Sequence, residues 1–397
     1  MVTKEELQSM AREHAPIVSK HRRHLHRYPE LSFHEHNTAA YVAGVLQDLG
    51  IEFQTGVAGT GIVAILRGEM PGSKVIALRA DLDALPIQEE NTVDYASQNA
   101  GVMHACGHDV HTSSLLGVAA LLQGLRARWG GTIKLLFQPG EELLPGGASL
   151  MIAAGALKNP EPTAILGQHV FPELPAGKVG FKAGMYMASA DEIYITVKGK
   201  GGHAALPARF TDPILAASHM LVALQQVVSR KASPELPTVL SFGKFNSVGG
   251  ANNIIPNEVR LEGTLRTFDE AWRYEAHRWI EKIARDTCSA SGCEAIVDIQ
   301  VGYPFLTNDE ELTHKAKRAA VDYLGEENVV DLGIRMTAED FSYYSQIMPG
   351  CFYRLGTASA DGKHTSGLHT PTFDIDETAL ETSIGLMAWL ALQELNM

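Results

Sequence analysis

The sequence predicts an α/β protein in which a mostly parallel sheet has helices on both faces and a smaller α+β domain is inserted. Short apolar runs alternate with helix-like segments in the first half of the chain and again near its end, which is typical of a covered parallel sheet. Between them the order becomes strand, helix, two strands, helix and strand, a complete βαββαβ (ferredoxin-like) unit. The length of 397 residues also exceeds what one hydrophobic core usually holds, so we expect two domains.

The first predicted segment covers residues 1–188. Thr3 and Glu6 form a capping-box pattern ahead of apolar residues at helical spacing, so a helix begins there. A helix near 38–49 ends at Gly50, since glycine is favoured just beyond a helix C-terminus. The other elements are strands near 61–67 and 74–80, a helix near 111–127, a strand near 132–137, a helix near 147–156 and a strand near 164–169.

The inserted segment is expected to cover residues 189–302. Asp212 followed by Pro213 favours a helix start, because aspartate caps a helix and proline suits its first turn. The apolar residues along one face of this helix, expected to face the core, are Ile214, Ala217, Leu221, Leu224 and Val228. The predicted elements are a strand at 192–197, a helix at 213–230, strands at 238–245 and 258–267, a helix at 270–289 and a strand at 295–301.

The last segment, 303–397, returns to the α/β order and should complete the first sheet. Its predicted elements are a helix near 309–323, a strand ending before Thr337, a short helix near Phe341, a strand at 351–355 and a helix near 377–394. His369 falls in a loop of this segment. The chain therefore reads as one domain split by an insertion.

Composition and charge indicate a globular cytoplasmic protein. Hydrophobic residues make up 45% and charged residues 20% of the chain. The net charge of -13 argues against binding to nucleic acid or to an anionic membrane. The N-terminus is charged and has no apolar signal segment, and no apolar run nears the roughly 20 residues needed to span a bilayer. The 4 cysteines show no paired zinc-finger spacing, so we expect reduced thiols.

The stretch from Met103 to His111 contains one thiol, three imidazoles and a carboxylate. Zinc and similar divalent metals prefer thiolate and imidazole donors, and Gly107 lets the backbone turn so that Cys106 and His108 can face one ion. The pattern favours a metal site. Two other interpretations stay open: the histidines could be ordinary surface or capping residues, or Cys106 could be a nucleophile with His108 as its base.

Other candidate donors each follow a predicted strand. Glu141 and Glu142 come after one apolar run, His169 closes a second, and Asp81 and Asp83 close a third. In an open α/β sheet, ligands bind outside the carboxyl ends of the strands. We therefore expect these donors to converge although they are far apart in sequence.

Motifs spread from about residue 24 to 375 resemble those of the M20 metallopeptidases. The resemblance is narrower to the amidohydrolase branch, subfamily D, which includes hippurate hydrolases, N-acyl-L-amino acid amidohydrolases and IAA-amino acid hydrolases. The matching motifs are RADLDALP at 79–86, HACGHD at 104–109, QPGEE at 138–142, GKGGHAA at 199–205, NNIIP at 252–256, AEDF at 338–341 and LHTP at 368–371. Residues alone assign no role to Glu339 in the AEDF motif.

The resemblance implies a catalytic domain, made of the first and last segments, that holds two divalent metal ions: zinc, manganese, cobalt or nickel. The implied metal ligands are Cys106, His108, Glu142, His169 and His369. Glu141 would be the general base that activates a metal-bound water. Asp81 and Cys106 stand where much of the wider family has histidine and aspartate, so we do not count Asp81 as a ligand. Asp83 and Asp109 could orient histidine ligands or be ordinary caps.

The resemblance also implies that the inserted domain is a lid or dimerisation domain. His203 would hydrogen-bond the developing oxyanion in the active site of the other subunit of a homodimer. Asn253 and Arg266 match positions that hold the α-carboxylate of a substrate. Without the resemblance, His203 could equally be a histidine in a tight turn, and Arg266 a solvated or paired arginine at a strand end.

The implied activity is cleavage of the amide bond of N-acyl-L-amino acids, with acetyl, benzoyl or similar acyl groups. A dipeptidase or carboxypeptidase of the same family is an alternative, and so is a metal-independent cysteine hydrolase that uses Cys106. A peptide- or metal-binding protein with an inactive site is a third, non-enzymatic class. A metallo-β-lactamase-like hydrolase is disfavoured, because the His-x-His-x-Asp-His spacing that it needs is absent.

Overall fold

The computed structural model describes residues 2–359, 361–362 and 366–396. Its helices are α1 (Lys4–Arg27), α2 (His36–Asp48), α3 (His108–Gly124), α4 (Gly147–Ala153), α5 (Pro213–Leu224), α6 (Glu270–Ala290), α7 (Glu310–Leu324), α8 (Ser342–Ser345) and α9 (Ala379–Leu395). Its strands are β1 (Glu52–Val57), β2 (Gly61–Arg67), β3 (Met70–Asp81), β4 (Gly130–Gln138), β5 (Ala164–Pro175), β6 (Val179–Phe181), β7 (Gly184–Met187), β8 (Asp191–Lys198), β9 (Gly202–His203), β10 (Thr238–Val248), β11 (Ile254–Ile255), β12 (Glu258–Thr267), β13 (Glu294–Val301), β14 (Leu306–Asn308), β15 (Val329–Asp331) and β16 (Gly350–Ala358).

The chain forms two compact units. Unit 1 comprises Met1–Tyr186, Thr307–Ile334 and Asp340–Met397, and unit 2 comprises Met187–Leu306 and Arg335–Glu339. The middle of the chain is therefore an insertion into unit 1. The sequence does not predict that a second, short segment, Arg335–Glu339, also belongs to unit 2. The functions expected of the three segments stay predictions.

An eight-stranded sheet forms the centre of unit 1, in the order β1-β2-β4-β3-β5-β16-β6-β15. β3 runs parallel to both of its neighbours, β4 and β5, and β5 runs parallel to β16. β1 and β2 form an antiparallel edge, of which the sequence predicts only the second strand. The predicted mostly parallel sheet is confirmed.

Helices cover both faces of this sheet. α1, α2, α3, α7 and α9 pack on one face, around a core that includes Leu116 and Tyr353. Successive side chains of a strand point to opposite faces, so Phe352 of β16 points away from that core. Its ring stacks on Phe341, just before α8, with the ring centres 4.9 Å apart. α4 and α8 contact each other and cover this second face.

The carboxyl ends of β3, β4 and β5 lie side by side. Asp81, the last residue of β3, pairs in register with Gln138, the last residue of β4. His169 lies inside β5 and does not close it as predicted, because β5 continues to Pro175 alongside β16. This arrangement of neighbouring parallel strands brings together donors that are far apart in sequence.

Unit 2 contains a four-stranded antiparallel sheet in the order β10-β12-β8-β13, with α5 and α6 packed against it. This is the strand order of the predicted βαββαβ unit. α5 begins as expected: the Asp212 carboxylate accepts a hydrogen bond from the Ile214 N–H at 2.9 Å, and Pro213 occupies the first turn. The β9–β11 ribbon pairs His203 with Ile254 and was not predicted.

The buried face of α5 differs from the predicted one. Its buried residues are Pro213, Ala216, Ala217, Met220 and Leu224. Ile214, predicted to face the core, is 36% exposed. Because nearly all positions of this helix are apolar, the hydrophobic period does not single out one face. The predicted helix to Arg230 is also wrong, since α5 ends at Leu224 and a π-helical turn follows at Val227–Lys231.

Two further findings concern membrane-spanning helices and cysteines. No helix among the described residues is long and apolar enough to cross a membrane. The cysteines at 106, 288, 293 and 351 are free and buried.

Candidate metal centre

His108 is held with one ring nitrogen free to bind a ligand. It is the first residue of α3 and is fully buried. Its Nδ1 lies 2.9 Å from the backbone oxygen of Asp83 and 3.2 Å from Oδ1 of the same residue. Because both atoms are acceptors, Nδ1 donates, and in the neutral ring that binds a metal Nε2 keeps its lone pair. Nε2 makes no hydrogen bond within the described part of the chain, so a buried acceptor faces the site.

Cys106 and His169 lie beside His108. The Cys106 sulfur is 3.4 Å from Nε2 of His169, and both residues are buried. Nδ1 of His169 donates to the backbone oxygen of Val170 at 2.8 Å, which again leaves Nε2 as the free lone pair. The ligand atoms of Cys106, His108 and His169 lie within 4.8 Å of one another. One thiol and two imidazoles form a donor set that suits a divalent transition metal.

A second group of donors shares Cys106 with the first. The ligand atoms of Cys106, Glu142 and His369 also lie within 4.8 Å of one another, as do those of His108, Glu141 and Glu142. Nε2 of His369 is 3.3 Å from the Glu142 carboxylate. The five predicted ligands and the predicted base therefore converge at one place in unit 1.

His369 has a backbone conformation that residues other than glycine seldom adopt. Its φ is +59°, in the left-handed region, and its N–H donates to the Ala105 carbonyl at 2.8 Å. Such a conformation costs on the order of 1–3 kcal/mol and persists only where the surroundings enforce it. The hydrogen bond to Ala105 places the ring next to Cys106, and this explains how a loop residue joins the cluster.

The electrostatics of the cluster fit divalent cations. Burial, and then the negative charge of Glu142, raises the pKa of the Cys106 thiol. Hydrogen bonds to Cys106 and Glu142 raise the pKa of His369 to about 10. The Cys106 thiol and the His369 ring thus favour their protonated forms next to the Glu142 carboxylate. A bound divalent cation replaces those protons, because it stabilises the thiolate and the carboxylates directly.

Asp83 connects two parts of the site. One of its oxygens faces His108, and the other accepts hydrogen bonds from Ser32 Oγ at 2.6 Å and from the Glu142 N–H at 2.9 Å. This carboxylate therefore orients a histidine ligand through its second nitrogen and also holds the backbone of a carboxylate ligand. The orienting role expected for Asp83 matches these contacts.

Unit 2 brings His203 and Asn253 together. The Asn253 carbonyl accepts a hydrogen bond from the Ala204 N–H at 3.0 Å, beside the β9–β11 ribbon. The Ala205 N–H donates to Nδ1 of His203 at 3.1 Å, so the neutral ring carries its proton on Nε2. Both His203 and Asn253 are exposed. His203 therefore presents an N–H donor on the surface of unit 2.

Arg266 lies far from that ribbon within one chain. It is near the end of β12, and the strand rises about 26 Å from Glu258 to Arg266 at ~3.3 Å per residue. The structure therefore does not bring Arg266 and Asn253 together. Burial lowers the pKa of the Arg266 guanidinium. The charges of Asp191 and Glu192 act on this pKa in the opposite direction. Among the described residues Arg266 forms no ion pair, so its half-buried guanidinium is suited to bind an anion.

Residues 77–393 match the family described as peptidase family M20/M25/M40. The chain belongs to this family. An N-acyl-L-amino acid amidohydrolase of Geobacillus stearothermophilus is 43% identical over 310 residues, covering 78% of this chain and 83% of that protein. An IAA-amino acid hydrolase of Arabidopsis thaliana is 39% identical over 379 residues, covering 94% and 84%. The crystal structure of the Bacillus subtilis YXEP protein, a dinuclear metal binding peptidase from the M20 family, has a TM-score of 0.81 at 34% identity and covers 97% of this chain and 99% of that one.

The chain is thus a hydrolase of the M20 family, as the motifs predicted. Two other donors of the stretch from Met103 to His111 are engaged by other partners. Both ring nitrogens of His111 are used, since Nδ1 meets Asp81 at 2.6 Å and Nε2 accepts from the Val170 N–H at 2.9 Å. For Asp109 the sequence left open whether it orients a histidine ligand or is an ordinary cap. Asp109 instead accepts from Arg22 at 2.7 Å and lies 2.8 Å from Nδ1 of His26.

Two buried carboxylates next to the M20 site were not singled out from the sequence. Glu35 accepts a hydrogen bond from the Gly140 N–H at 2.8 Å, and Asp340 accepts from Nε2 of Gln138 at 2.7 Å. Both hold the turn that precedes Glu141. The AEDF motif was the only sequence feature that pointed to a role for Asp340. No sequence feature pointed to a role for Glu35.

Proposed function

We propose that the chain is a metal-dependent amidohydrolase that cleaves the amide bond of N-acyl-L-amino acids. The observation that supports this most directly is the convergence of thiol, imidazole and carboxylate donors around Nε2 of His108, which is buried and forms no hydrogen bond to the described residues. The relatives named for N-acyl amino acids span most of the chain and add a substrate class.

The residues that would hold two divalent ions are Cys106, His108, Glu142, His169 and His369. When bound, zinc, manganese, cobalt or nickel ions lower the pKa of a water and polarise a carbonyl group. His108 and His169 are pre-oriented for this role, because a backbone oxygen accepts from Nδ1 of each ring. Cys106 belongs to two of the three donor groups, so its thiolate would be a central donor of the site.

Glu141 is the proposed general base. It is 6% exposed, and one of its oxygens lies 4.0 Å from Nε2 of His108, so it borders the donor cluster. Glu142 is the neighbour that faces His369. The two adjacent carboxylates would therefore divide the work: Glu142 binds metal, and Glu141 takes a proton from water and passes it to the leaving amine.

We further propose that the active unit is a homodimer in which His203 acts on the partner's substrate. The Nε2–H of His203 is free to donate to an oxyanion, because Nδ1 is occupied by the Ala205 N–H. Asn253 accompanies His203 on the same ribbon, whereas Arg266 lies at the other end of β12. Arg266 would bind the substrate carboxylate as a bidentate donor.

The alternative of a cysteine hydrolase has little support in the geometry. A nucleophilic cysteine needs an electropositive, partly exposed setting that lowers the pKa of its thiol. Cys106 is buried, and both burial and Glu142 raise the pKa of its thiol. A dipeptidase or carboxypeptidase of the same family would use the same metal centre, so only substrates separate it from an amidohydrolase.

Substrate recognition is tested with acetyl-, benzoyl- and indole-acetyl-amino acids, each as the free acid and as the amide, assayed with each of the four metals. We expect the free acids to be cleaved. Arg266→Ala should lower kcat/KM, and the loss of transition-state stabilisation calculated from it should be roughly 2 kcal/mol or more, the value of a lost charge-assisted pair. Amidation should cost the parent enzyme a similar amount and the variant little. Equal cleavage of free acids and amides by the parent would show that Arg266 does not bind the carboxylate.

A further inference from the structure

The turn that bears the proposed base is held from three sides by buried carboxylates. Glu35 accepts from the Gly140 N–H at 2.8 Å, and Asp83 accepts from the Glu142 N–H at 2.9 Å. The third carboxylate, Asp340, contacts the residue that begins the turn, Gln138. Glu141 itself lies between these fixed backbone positions. The turn is therefore fixed as a unit, and its side chains have little freedom to move.

Asp340 makes the largest set of these contacts. Its Oδ1 accepts from Nη2 of Arg79 at 2.7 Å and from Nε2 of Gln138 at 2.9 Å. Its Oδ2 accepts from the same Gln138 nitrogen at 2.7 Å and from the Ala148 N–H at 2.9 Å. The residue is completely buried. The side chain of Asp340 thus ties the ends of β3 and β4 to the start of α4.

The backbone of Asp340 reaches the base directly. Its N–H lies 3.4 Å from Oε1 of Glu141, while Oε2 of Glu141 is the oxygen 4.0 Å from Nε2 of His108. One carboxylate oxygen is therefore directed to a backbone donor and the other to the donor cluster. The side-chain contacts of Asp340 decide where that N–H points.

We propose that Asp340 is a positioning residue for Glu141: its buried side-chain network fixes its own N–H so that the second oxygen of Glu141 faces the metal donors. The inference rests on the proposed function, since it needs Glu141 to be the base. The hydrogen bonds described for Asp340 join it to Arg79, Gln138, Ala148 and Glu141, and none of these four is one of the five proposed metal ligands. Its loss should therefore change the rate of proton transfer and leave metal binding intact.

Asp340→Asn tests this with the backbone N–H retained. At either oxygen position the new amide nitrogen faces Nε2 of Gln138 and a second donor, Nη2 of Arg79 or the Ala148 N–H, so the network loses an acceptor and the segment shifts. A displacement of about 1 Å at a reacting group can lower a rate by ~10²-fold. We expect kcat to fall about 10- to 100-fold, with KM and metal content unchanged.

A second substitution should restore the hydrogen bond between positions 138 and 340. When Gln138→Glu is combined with Asp340→Asn, the carboxylate introduced at position 138 accepts from the new amide and keeps the acceptor for Nε of Arg79, at unchanged net charge. We expect kcat to recover by at least about fivefold over the single variant. Glu394→Gln is the matched control, since it removes a buried carboxylate that pairs with Lys74 at the other end of β3, and it should leave kcat within about twofold.

The outcomes are distinct. The inference is overturned if Asp340→Asn has unchanged kcat, if it loses metal, or if a rise in KM accounts for its loss in kcat/KM. It is also overturned if the double variant recovers no activity. If Asp340→Asn cannot be purified folded, Gln138→Leu removes the link from the β4 side, and it must show the same selective loss of kcat or the inference fails. If the parent enzyme cleaves no N-acyl amino acid, the proposed function fails instead.

Discussion

Gly107 lies between two proposed metal ligands, and replacing it by alanine should damage both stability and metal binding. Its φ is +82°, and a Cβ built there would lie 2.5 Å from Cγ2 of Val170. The left-handed conformation costs an alanine about 1–2 kcal/mol. Overpacking adds about 1–3 kcal/mol, so Gly107→Ala should lower the free energy of unfolding by about 2–5 kcal/mol.

The structure offers a control that separates the two costs. Gly177 has φ +87° and nothing within 4 Å of its ideal Cβ, so Gly177→Ala measures the conformational cost alone. Urea unfolding of both variants should place Gly107→Ala below Gly177→Ala by the overpacking cost. Val170→Ala should relieve the contact, so the double variant should lose less stability than the sum of the single losses.

The metal content links this contact to the site. Val170 directly follows the proposed ligand His169, so the displaced strand should also lower metal affinity in Gly107→Ala but not in Gly177→Ala. If Gly107→Ala is no less stable than Gly177→Ala and binds metal as the parent does, the close approach of Gly107 and Val170 does not shape the site.

Two other predictions concern the catalytic residues. Glu141→Gln should lower kcat by at least about 10² to 10⁴ while elemental analysis still finds the metal, whereas Glu142→Gln should bind less metal; the reverse result would exchange their roles. Mixing inactive His203→Ala with inactive Glu141→Gln subunits should regenerate activity, because one hybrid site of the dimer is intact. If subunits exchange and no activity returns, His203 does not act across the dimer.

The convergence of donors that follow parallel strands could be predicted from the sequence, because the carboxyl ends of neighbouring parallel strands lie at the same edge of the sheet. Glu141, Glu142 and His169 illustrate this: each follows or lies in an apolar run, and those runs are neighbours in the sheet. The same logic did not reach His369, which comes from a loop. Its place depends on a left-handed backbone and a hydrogen bond to Ala105, neither of which leaves a pattern in the sequence.

Residues that support the site were harder to predict, because their roles depend on distant contacts. Glu35 accepts from Gly140, 105 positions away, and Asp340 accepts from Ala148, 192 positions away. A carboxylate that accepts backbone N–H groups looks the same in sequence as one that faces water. His111 shows the converse: its clustering with Cys106 suggested chemistry, but both of its ring nitrogens are engaged in holding β5 and Asp81.

The measurement that tests the account most directly is the metal content of the purified enzyme, followed together with its activity. The parent should hold two divalent ions per chain, lose activity on chelation and regain it as metal is returned. Cys106→Ala should lose metal and activity together, since its thiolate is the proposed ligand that two of the donor groups share. A chelated enzyme that remains active, or a Cys106→Ala variant that is inactive yet still holds two metals, would contradict the metal centre as described.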